Sequence, residues 1–331
     1  MDFSTFRSWF DERFSTLLSD KIAEFTSYSA STEVAYIAQY AHDIAQGGKR
    51  FRPYLVYQAL LPQDPEAHRE LFAAVELLHV FALIHDDIMD DGTARHAVTC
   101  PHRHFTKRYH HARIGEGVAI LLGDLVYQWS YECLLAYCAQ HPRVGARLME
   151  IYGELVREVI HGQMIDVISP TQPPFDEALI TQKMYLKTAR YSFVQPMRLG
   201  FAAAGTLDQH HEFAETFGRA LGLMFQLQDD LIDVSSEGDK STFLDIETNQ
   251  QTILSWYVQS KAGSPDAARF ASYLGAPTTP EARKDISQIL TDSGARAYVV
   301  SLIDGYYADA CTCAGETSWR TVADMVYTRT K

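Results

Sequence analysis

The sequence is poor in cysteine, in long apolar runs and in basic residues. Five cysteines in 331 residues form neither a CxxC pair nor an even ladder, so we expect reduced thiols in a cytoplasmic protein. A bilayer-spanning helix requires about 18 apolar residues without a charge, and the sequence contains no such run. The start of the sequence also lacks the apolar core of a signal peptide. We therefore expect a soluble chain without a membrane span. The 29 basic and 42 acidic residues give a formal charge of −13, which disfavours nucleic acid as a partner.

Strand signals are equally scarce. Apolar residues recur at helical spacing in most windows, as Phe72, Val75 and Leu78 do, and again at Phe217 and Leu221. Apolar runs such as residues 118–129 are too long, and have too few turn residues, to form hairpins. The pattern predicts an all-α fold.

Loops fall at glycine- and proline-containing stretches, and none is long enough to separate domains. Two of them lead into helix starts: Asp176 is a candidate N-cap, and Thr279 precedes Pro280 and Glu281 in a typical cap sequence. No internal repeat is evident beyond a duplicated acidic motif. We expect one helical domain over residues 1–331.

The acidic motif DDxxD occurs twice, each time after a strongly apolar segment. Asp86 and Asp90 are spaced i, i+4 and so share a helix face, and Asp229 and Asp233 have the same spacing. A single copy is usually a solvated helix face or a cap. Two copies of a destabilising like-charge pair indicate a bound cation, and oxygen ligands suit Mg²⁺ with substrate phosphates. The two sets would together clamp a diphosphate through metal.

Basic residues extend this interpretation to a second diphosphate. The segment GGKRFRP at 47–53 places three cations after a glycine turn, which suits a metal-free diphosphate. An exposed basic helix start is the alternative. Arg95, Lys187 and Lys240 are further candidate phosphate cations.

Over about residues 30–255 the sequence resembles the trans-isoprenyl diphosphate synthases, the polyprenyl synthetase family. The matching stretches are GGKRFRP at 47–53, VELLHVFALIHDDIMDD at 75–91, ILLGD at 120–124, GQMID at 162–166, YLKTA at 185–189 and FQLQDDLIDV at 225–234. Their order and spacing make the resemblance highly specific.

The resemblance implies an all-α isoprenoid synthase fold, a homodimer, and a prenyltransferase that condenses isopentenyl diphosphate with an allylic diphosphate. It implies about three Mg²⁺ ions with the bound diphosphate, held directly or through water. The implied metal residues are Asp86, Asp87, Asp90, Asp229, Asp230 and Asp233. The implied isopentenyl diphosphate residues are Lys49, Arg52 and His79, and the allylic diphosphate residues are Arg95, Lys187 and Lys240. Lys187, Thr188 and Gln226 would also face the developing carbocation.

The sequence departs from the family pattern at two cations. The family commonly has a second arginine after Arg95, where this chain has His96, and a later lysine where it has Gln250. Histidine cannot give the same bidentate contact to a diphosphate. We expect weaker isopentenyl diphosphate binding at His96, or compensation from Arg50 or Arg103.

Product length in such a fold depends on side chains one helical turn before the first motif. A bulky Phe81 beside a small Ala82 resembles the geranylgeranyl-type pattern and favours a C20 product, with farnesyl diphosphate next. The alternative is that Phe81 packs between helices and the cavity floor lies elsewhere.

Three other functions remain compatible with the motifs. A class I terpene synthase uses a similar fold, but its second motif is typically built from Asn, Ser and Glu. A non-catalytic partner subunit is favoured by the lost cations and disfavoured by six intact aspartates, while a phosphohydrolase is disfavoured by the apolar approach to both motifs. The basic tail at 327–331 is expected to be a frayed terminus, with closure over bound diphosphates as the alternative.

Overall fold

Helices make up most of this computed structural model, which describes residues 1–60, 63–95, 97–235, 243–260 and 264–330. The α-helices are α1 Phe3–Thr26, α2 Thr32–Ala45, α3 Phe51–Leu60, α4 Arg69–Met89, α5 Pro101–Tyr109, α6 Ala112–Gln140, α7 Pro142–Ile168, α8 Glu177–Met184, α9 Gln195–Ala203, α10 Leu207–Asp233, α11 Leu244–Glu247, α12 Ile253–Gln259, α13 Pro265–Ala271, α14 Pro280–Asp292, α15 Ala295–Ala314 and α16 Trp319–Tyr327. Short 3₁₀ turns cover Pro65–His68, Ser169–Thr171 and Thr328–Thr330, and Tyr185–Val194 is π-helical. The all-α prediction is confirmed.

A small hairpin interrupts the helices after the first acidic motif. Strand β1, Ala94–Arg95, pairs antiparallel with β2, Val98–Thr99. Strands of two residues are too short to show the alternation by which a strand is predicted. This hairpin was therefore not predicted.

Contacts divide the chain into two compact units. The first comprises Met1–Glu150 and Leu199–Thr206. Its helix α1 buries Phe6, Phe10 and Phe14 along one face, and Phe6 meets Phe72 of α4 edge-on at 5.5 Å between ring centroids. Helix α4, which carries the first motif, packs mainly against α6, so a buried aromatic and aliphatic core fixes the helix that ends in aspartates.

The second unit comprises Ile151–Arg198 and Leu207–Lys331. Its helix α10, which carries the second motif, packs against the π-helical segment and α15. The close approach of α10 to the π-helical segment requires glycine at position 222, because a Cβ on Gly222 would overlap the backbone of Ala189. The prediction of one domain over residues 1–331 stays a prediction.

Both predicted helix caps are present. The Asp176 carboxylate accepts the Leu179 amide at 2.8 Å and starts α8, which continues into the π-helical segment carrying Lys187. The Thr279 hydroxyl accepts the Ala282 amide at 3.2 Å and starts α14. Within the described ranges, no helix is both long and apolar enough to cross a bilayer.

Candidate active site

Each aspartate motif lies in the last turn of its helix. Asp86 falls in the final turn of α4 and Asp90 is its C-cap, with the Asp90 amide 2.9 Å from the Asp86 carbonyl oxygen. Asp229 and Asp233 occupy the final turn of α10. Unpaired carbonyls give a helix C-terminus partial negative charge, which carboxylates there reinforce. These two fully described helices have no basic residue in that turn, so each end attracts a cation from elsewhere.

The middle aspartate of the first motif has a different environment. Asp87 is only 5% exposed. Arg95 on β1 forms a bidentate contact with the Asp87 carboxylate, with Nη2 2.6 Å from Oδ1 and Nε 3.2 Å from Oδ2. The hairpin thus holds Arg95 beside the motif through Asp87. Neither Asp87 as a metal residue nor Arg95 as an allylic diphosphate residue is tested, and both stay predictions.

Arg50 has a structural position that speaks against its expected compensating role. Its side chain is 5% exposed, and the guanidinium donates to Asp11 at 2.7 Å, to Glu76 at 2.6 Å and to the Ala45 carbonyl at 2.7 Å. Burial would lower the Arg50 pKa, but Glu76 and Asp11 raise it above its usual value. A cation enclosed in this way holds the start of α3, which disfavours the expectation that it replaces a diphosphate arginine.

Arg103 fits the compensating role better. It is 44% exposed on α5 and forms an ion pair with Asp91, the residue that follows the first motif. His96, the residue it would replace, lies outside the described residues. Arg103 therefore lies at the first motif without being enclosed by the fold.

The three residues assigned to isopentenyl diphosphate belong to the first unit. Lys49 is exposed and Arg52 half-buried at the start of α3, while His79 is half-buried on α4, two turns before Asp86. Their assignments stay predictions.

In the second unit the structure brings three predicted residues together. The Thr188 hydroxyl donates to Gln226 Oε1 at 2.6 Å, and Gln226 Nε2 donates to Asp230 Oδ1 at 2.9 Å. Burial raises the pKa of Asp230 to about 7, with Asp229 and Asp233 adding to the rise and Gln226 opposing it. Thr188 lies in the π-helical segment, a rare conformation that is frequent at functional sites. A hydrogen-bonded chain thus links this segment to the second motif.

Lys187 is held by an acid from the GQMID stretch. Asp166 pairs with Lys187 on one side and with Lys183 on the other, at 2.8 Å. Burial would raise the Asp166 pKa, but Lys187 and then Lys183 hold it below its usual value. A Cβ on Gly162, one turn earlier on α7, would lie 2.8 Å from the Lys187 Cα, so glycine is needed for this approach.

Asp245 lies beside the second motif and was not among the predicted site residues. Its amide donates to Asp233 Oδ2 at 3.1 Å, and the Leu244 amide donates to Asp233 Oδ1 at 3.1 Å. Burial, followed by Asp230 and Asp233, raises the Asp245 pKa well above its ordinary value. The available sequence signal is the position of Asp245, five residues before the Gln250 that stands in place of the family's later lysine.

Gln250 replaces that lysine with a neutral tether. Its side-chain Oε1 accepts a hydrogen bond from the buried Ser169 hydroxyl at 2.9 Å, and its backbone N–H donates to the Asp245 carbonyl at 2.7 Å. The side chain therefore joins Ser169 to the segment that carries Asp245. Lys240, the other predicted cation nearby, lies outside the described residues.

The C-terminal tail is ordered against the second motif. Residues Thr328–Thr330 form a 3₁₀ turn after α16, and Arg329 Nη2 forms an ion pair with Asp229 Oδ1. The expectation of a frayed terminus is wrong for these residues, because long-range contacts hold them.

Phe81 lies in an aromatic cluster before the first motif. Its ring centroid is 4.6 Å from His85 and 5.0 Å from Tyr127 of α6. His85 lies so close to Gly123 that a Cβ there would overlap the imidazole. Ala82, the other predicted chain-length residue, is half-buried next to Phe81 in the sequence. Tyr127 was not predicted, but it contacts Phe81.

The donor chemistry fits Mg²⁺ bound together with a phosphate ligand. In the part of the chain that the structure describes, no three His, Cys, Asp or Glu side chains converge on a metal position. Mg²⁺ keeps several waters and takes one or two carboxylates alongside substrate phosphates. Carboxylates paired i, i+4 at a negative helix end supply that number.

Comparisons with known proteins identify the family of this chain. A family model described as polyprenyl synthetase matches residues 34–292. A short chain isoprenyl diphosphate synthase of Methanothermobacter thermautotrophicus is 29% identical over 272 residues, which cover 80% of this chain and 78% of that protein. A (2E,6E)-farnesyl diphosphate synthase of Mycobacterium bovis is 30% identical over 265 residues, which cover 76% of this chain and 69% of that protein.

A solved structure shows the same fold. Geranylgeranyl pyrophosphate synthase from Corynebacterium glutamicum, complexed with isoprenyl diphosphate and magnesium, matches with a TM-score of 0.90 and 23% identity. The match covers 100% of this chain and 99% of that chain. With the family model matching most of its length, this chain belongs to the polyprenyl synthetase family of trans-isoprenyl diphosphate synthases and is a prenyltransferase.

Proposed function

We propose that this enzyme condenses isopentenyl diphosphate with an allylic diphosphate, head to tail, in a Mg²⁺-dependent reaction that yields geranylgeranyl diphosphate. The observation that carries the proposal is the pair of DDxxD motifs, each in the last turn of its helix, with Asp230 hydrogen-bonded through Gln226 to Thr188. Carboxylates at a helix C-terminus attract metal ions, which stabilise a diphosphate anion, and the neutral oxygens of Thr188 and Gln226 stabilise a carbocation. This combination suits a reaction that separates these two charges.

The chain's own residues would act on both charges. Asp86, Asp90, Asp229 and Asp233 would hold the magnesium ions, which supply Lewis-acid stabilisation of the leaving diphosphate. Lys187, positioned by Asp166, would add a cation for the same anion. The Thr188 hydroxyl and Gln226 amide would present oxygen to the growing allylic cation. The isopentenyl double bond would then attack the allylic cation to form the new carbon–carbon bond, and the departed diphosphate would accept the proton that the product loses.

The C20 product is the finer part of the proposal. The relatives' names include both short-chain and farnesyl synthases, and the matched structure is a geranylgeranyl synthase, so names alone leave product length open. Phe81 supports C20, because its ring packs with Tyr127 one turn before the motif. Farnesyl diphosphate is the next candidate.

We also propose a cytoplasmic homodimer. Ile114, Leu121 and Leu135 recur at heptad positions on α6 and are 47%, 68% and 51% exposed. An apolar stripe of this kind indicates an interface that another surface covers. A second copy of α6 would cover it in the homodimer that the resemblance implies.

The deciding experiment is incubation of the purified protein with Mg²⁺, labelled isopentenyl diphosphate and, separately, dimethylallyl, geranyl or farnesyl diphosphate. We expect an elongated C20 diphosphate.

Asp86→Ala and Asp229→Ala should each reduce turnover by at least about 100-fold, whereas Asp292→Asn, which changes an exposed aspartate at the end of α14, should not. A hydrocarbon product would indicate a terpene synthase. No turnover in the unmodified protein would indicate a non-catalytic partner subunit.

A further inference from the structure

The guanidinium of Arg329 contacts the first aspartate of the second motif. Its Nη2 pairs with Asp229 Oδ1, and its central carbon lies 3.7 Å from the ring centroid of Phe225, one helical turn before Asp229. The Arg329 side chain is 19% exposed and that of Asp229 is 37% exposed. Arg329 thus provides charge that α10 lacks in its own last turn.

The backbone before Arg329 is fixed in place. Gln228 Nε2 on α10 donates to the Tyr327 carbonyl at 3.1 Å. The Tyr327 ring stacks on Tyr307 of α15, with centroids 4.0 Å apart, and its hydroxyl donates to Asp304 at 2.9 Å. Because the chain is anchored two residues earlier, Arg329 reaches Asp229 from a defined position.

A guanidinium and Mg²⁺ cannot share this carboxylate oxygen. Mg²⁺ binds its ligands at about 2.0 to 2.1 Å, a distance that leaves no room for a second cation on the same oxygen, and the two charges repel. Arg329 Nη1 is also buried without a hydrogen-bond partner among the described residues. An unpaired buried donor costs free energy, so the guanidinium gains a hydrogen bond by turning away from this position.

We propose that Arg329 is the counter-cation of Asp229 in the metal-free enzyme and that metal binding at Asp229 displaces it. This inference rests on the proposed function, because it requires Asp229 to be a metal ligand. Metal loading at the second motif is then an exchange of one cation for another. The Arg329 contact lowers the apparent metal affinity and offsets the charge of Asp229 while the motif is empty.

The test is titration of the purified full-length protein with Mn²⁺ alone, in which binding is measured by calorimetry or by electron paramagnetic resonance. Asp229→Asn identifies the binding that depends on the second motif. For that binding, Arg329→Ala should raise the affinity roughly three- to ten-fold, the range of a partly exposed charged pair. Arg329→Lys, which keeps the charge, should restore most of the lower affinity. Arg320→Ala, an exposed arginine of α16 that pairs with Asp324, should behave as wild type.

Thermal unfolding provides a second readout that a structural contact would not reproduce. Arg329→Ala should unfold at a lower temperature in chelator and at the wild-type temperature in saturating Mn²⁺. An equal loss in both conditions, or an unchanged or weaker Mn²⁺ affinity, would overturn the inference while leaving the synthase proposal intact. Unchanged binding in Asp229→Asn would show that Asp229 holds no metal in the absence of diphosphate and would likewise overturn the inference, while leaving the synthase proposal intact.

Discussion

Phe81 is the residue with the clearest predicted effect on product identity. Its ring packs against Tyr127 at 5.0 Å and against His85, the residue that precedes the first motif. If these rings form the cavity floor, then removing one opens space for further five-carbon units. We expect Phe81→Ala, and to a smaller extent Tyr127→Ala, to shift the products beyond C20, as measured by chain-length analysis.

The neighbouring Gln128 supplies the control for this prediction. It is exposed on α6 and hydrogen-bonds to Glu132 at 3.2 Å, so Gln128→Ala should leave product length unchanged. Longer products from Tyr127→Ala alone would place the floor at α6. An unchanged product from both aromatic variants would show that the floor lies elsewhere.

At the scale of elements, the packing of α10 on the π-helical segment determines the geometry of the second motif. A Cβ on Gly222 would overlap Ala189, and Gln226, one turn later, reaches Thr188 at 2.6 Å. Gly222→Ala should therefore push the two elements apart and stretch this hydrogen bond. Overpacking of this kind costs about 1 to 3 kcal/mol of unfolding free energy. We also expect kcat to fall, because Gln226 moves away from Thr188.

Gly305 on α15 gives a matched comparison, because a Cβ there would meet no atom within 4 Å. Gly305→Ala should be neutral or stabilising by about 0.5 to 1 kcal/mol, since alanine is the better helix former. Urea denaturation measures both variants, and steady-state kinetics separates packing from catalysis. Wild-type stability and kcat in Gly222→Ala would contradict the close approach.

The sequence predicted the elements whose signal is local. Periodicity indicated the helices, and the caps at Asp176 and Thr279 were read correctly, because a cap depends on a few consecutive residues. The Thr188, Gln226 and Asp230 cluster came from a family resemblance and is brought together in the structure. Each of these features has its determinants in one short stretch or in one known motif.

The features that escaped prediction depend on contacts between distant residues or on very short elements. Arg329 pairs with Asp229 across 100 positions, and nothing in a terminal sequence indicates such a partner. Arg50 reads as one cation among three, yet burial beside Glu76 makes it structural. The change to π-helical turns at Tyr185–Val194 leaves no mark on apolar periodicity, because it alters the hydrogen-bonding register by one residue.

For the whole molecule, the proposed homodimer gives the prediction that depends on α6. Leu121 is 68% exposed, in line with Ile114 and Leu135 along a helix of 29 residues. Specific protein interfaces exclude charge from their apolar centre, so Leu121→Asp should dissociate a dimer formed there. Sedimentation should then change from twice the chain mass of 37.3 kDa to a single copy. As a control, Val300→Asp changes a 45% exposed residue of α15 and should leave the dimer intact. A monomeric wild-type protein, or a dimer that Leu121→Asp does not dissociate, would exclude this interface.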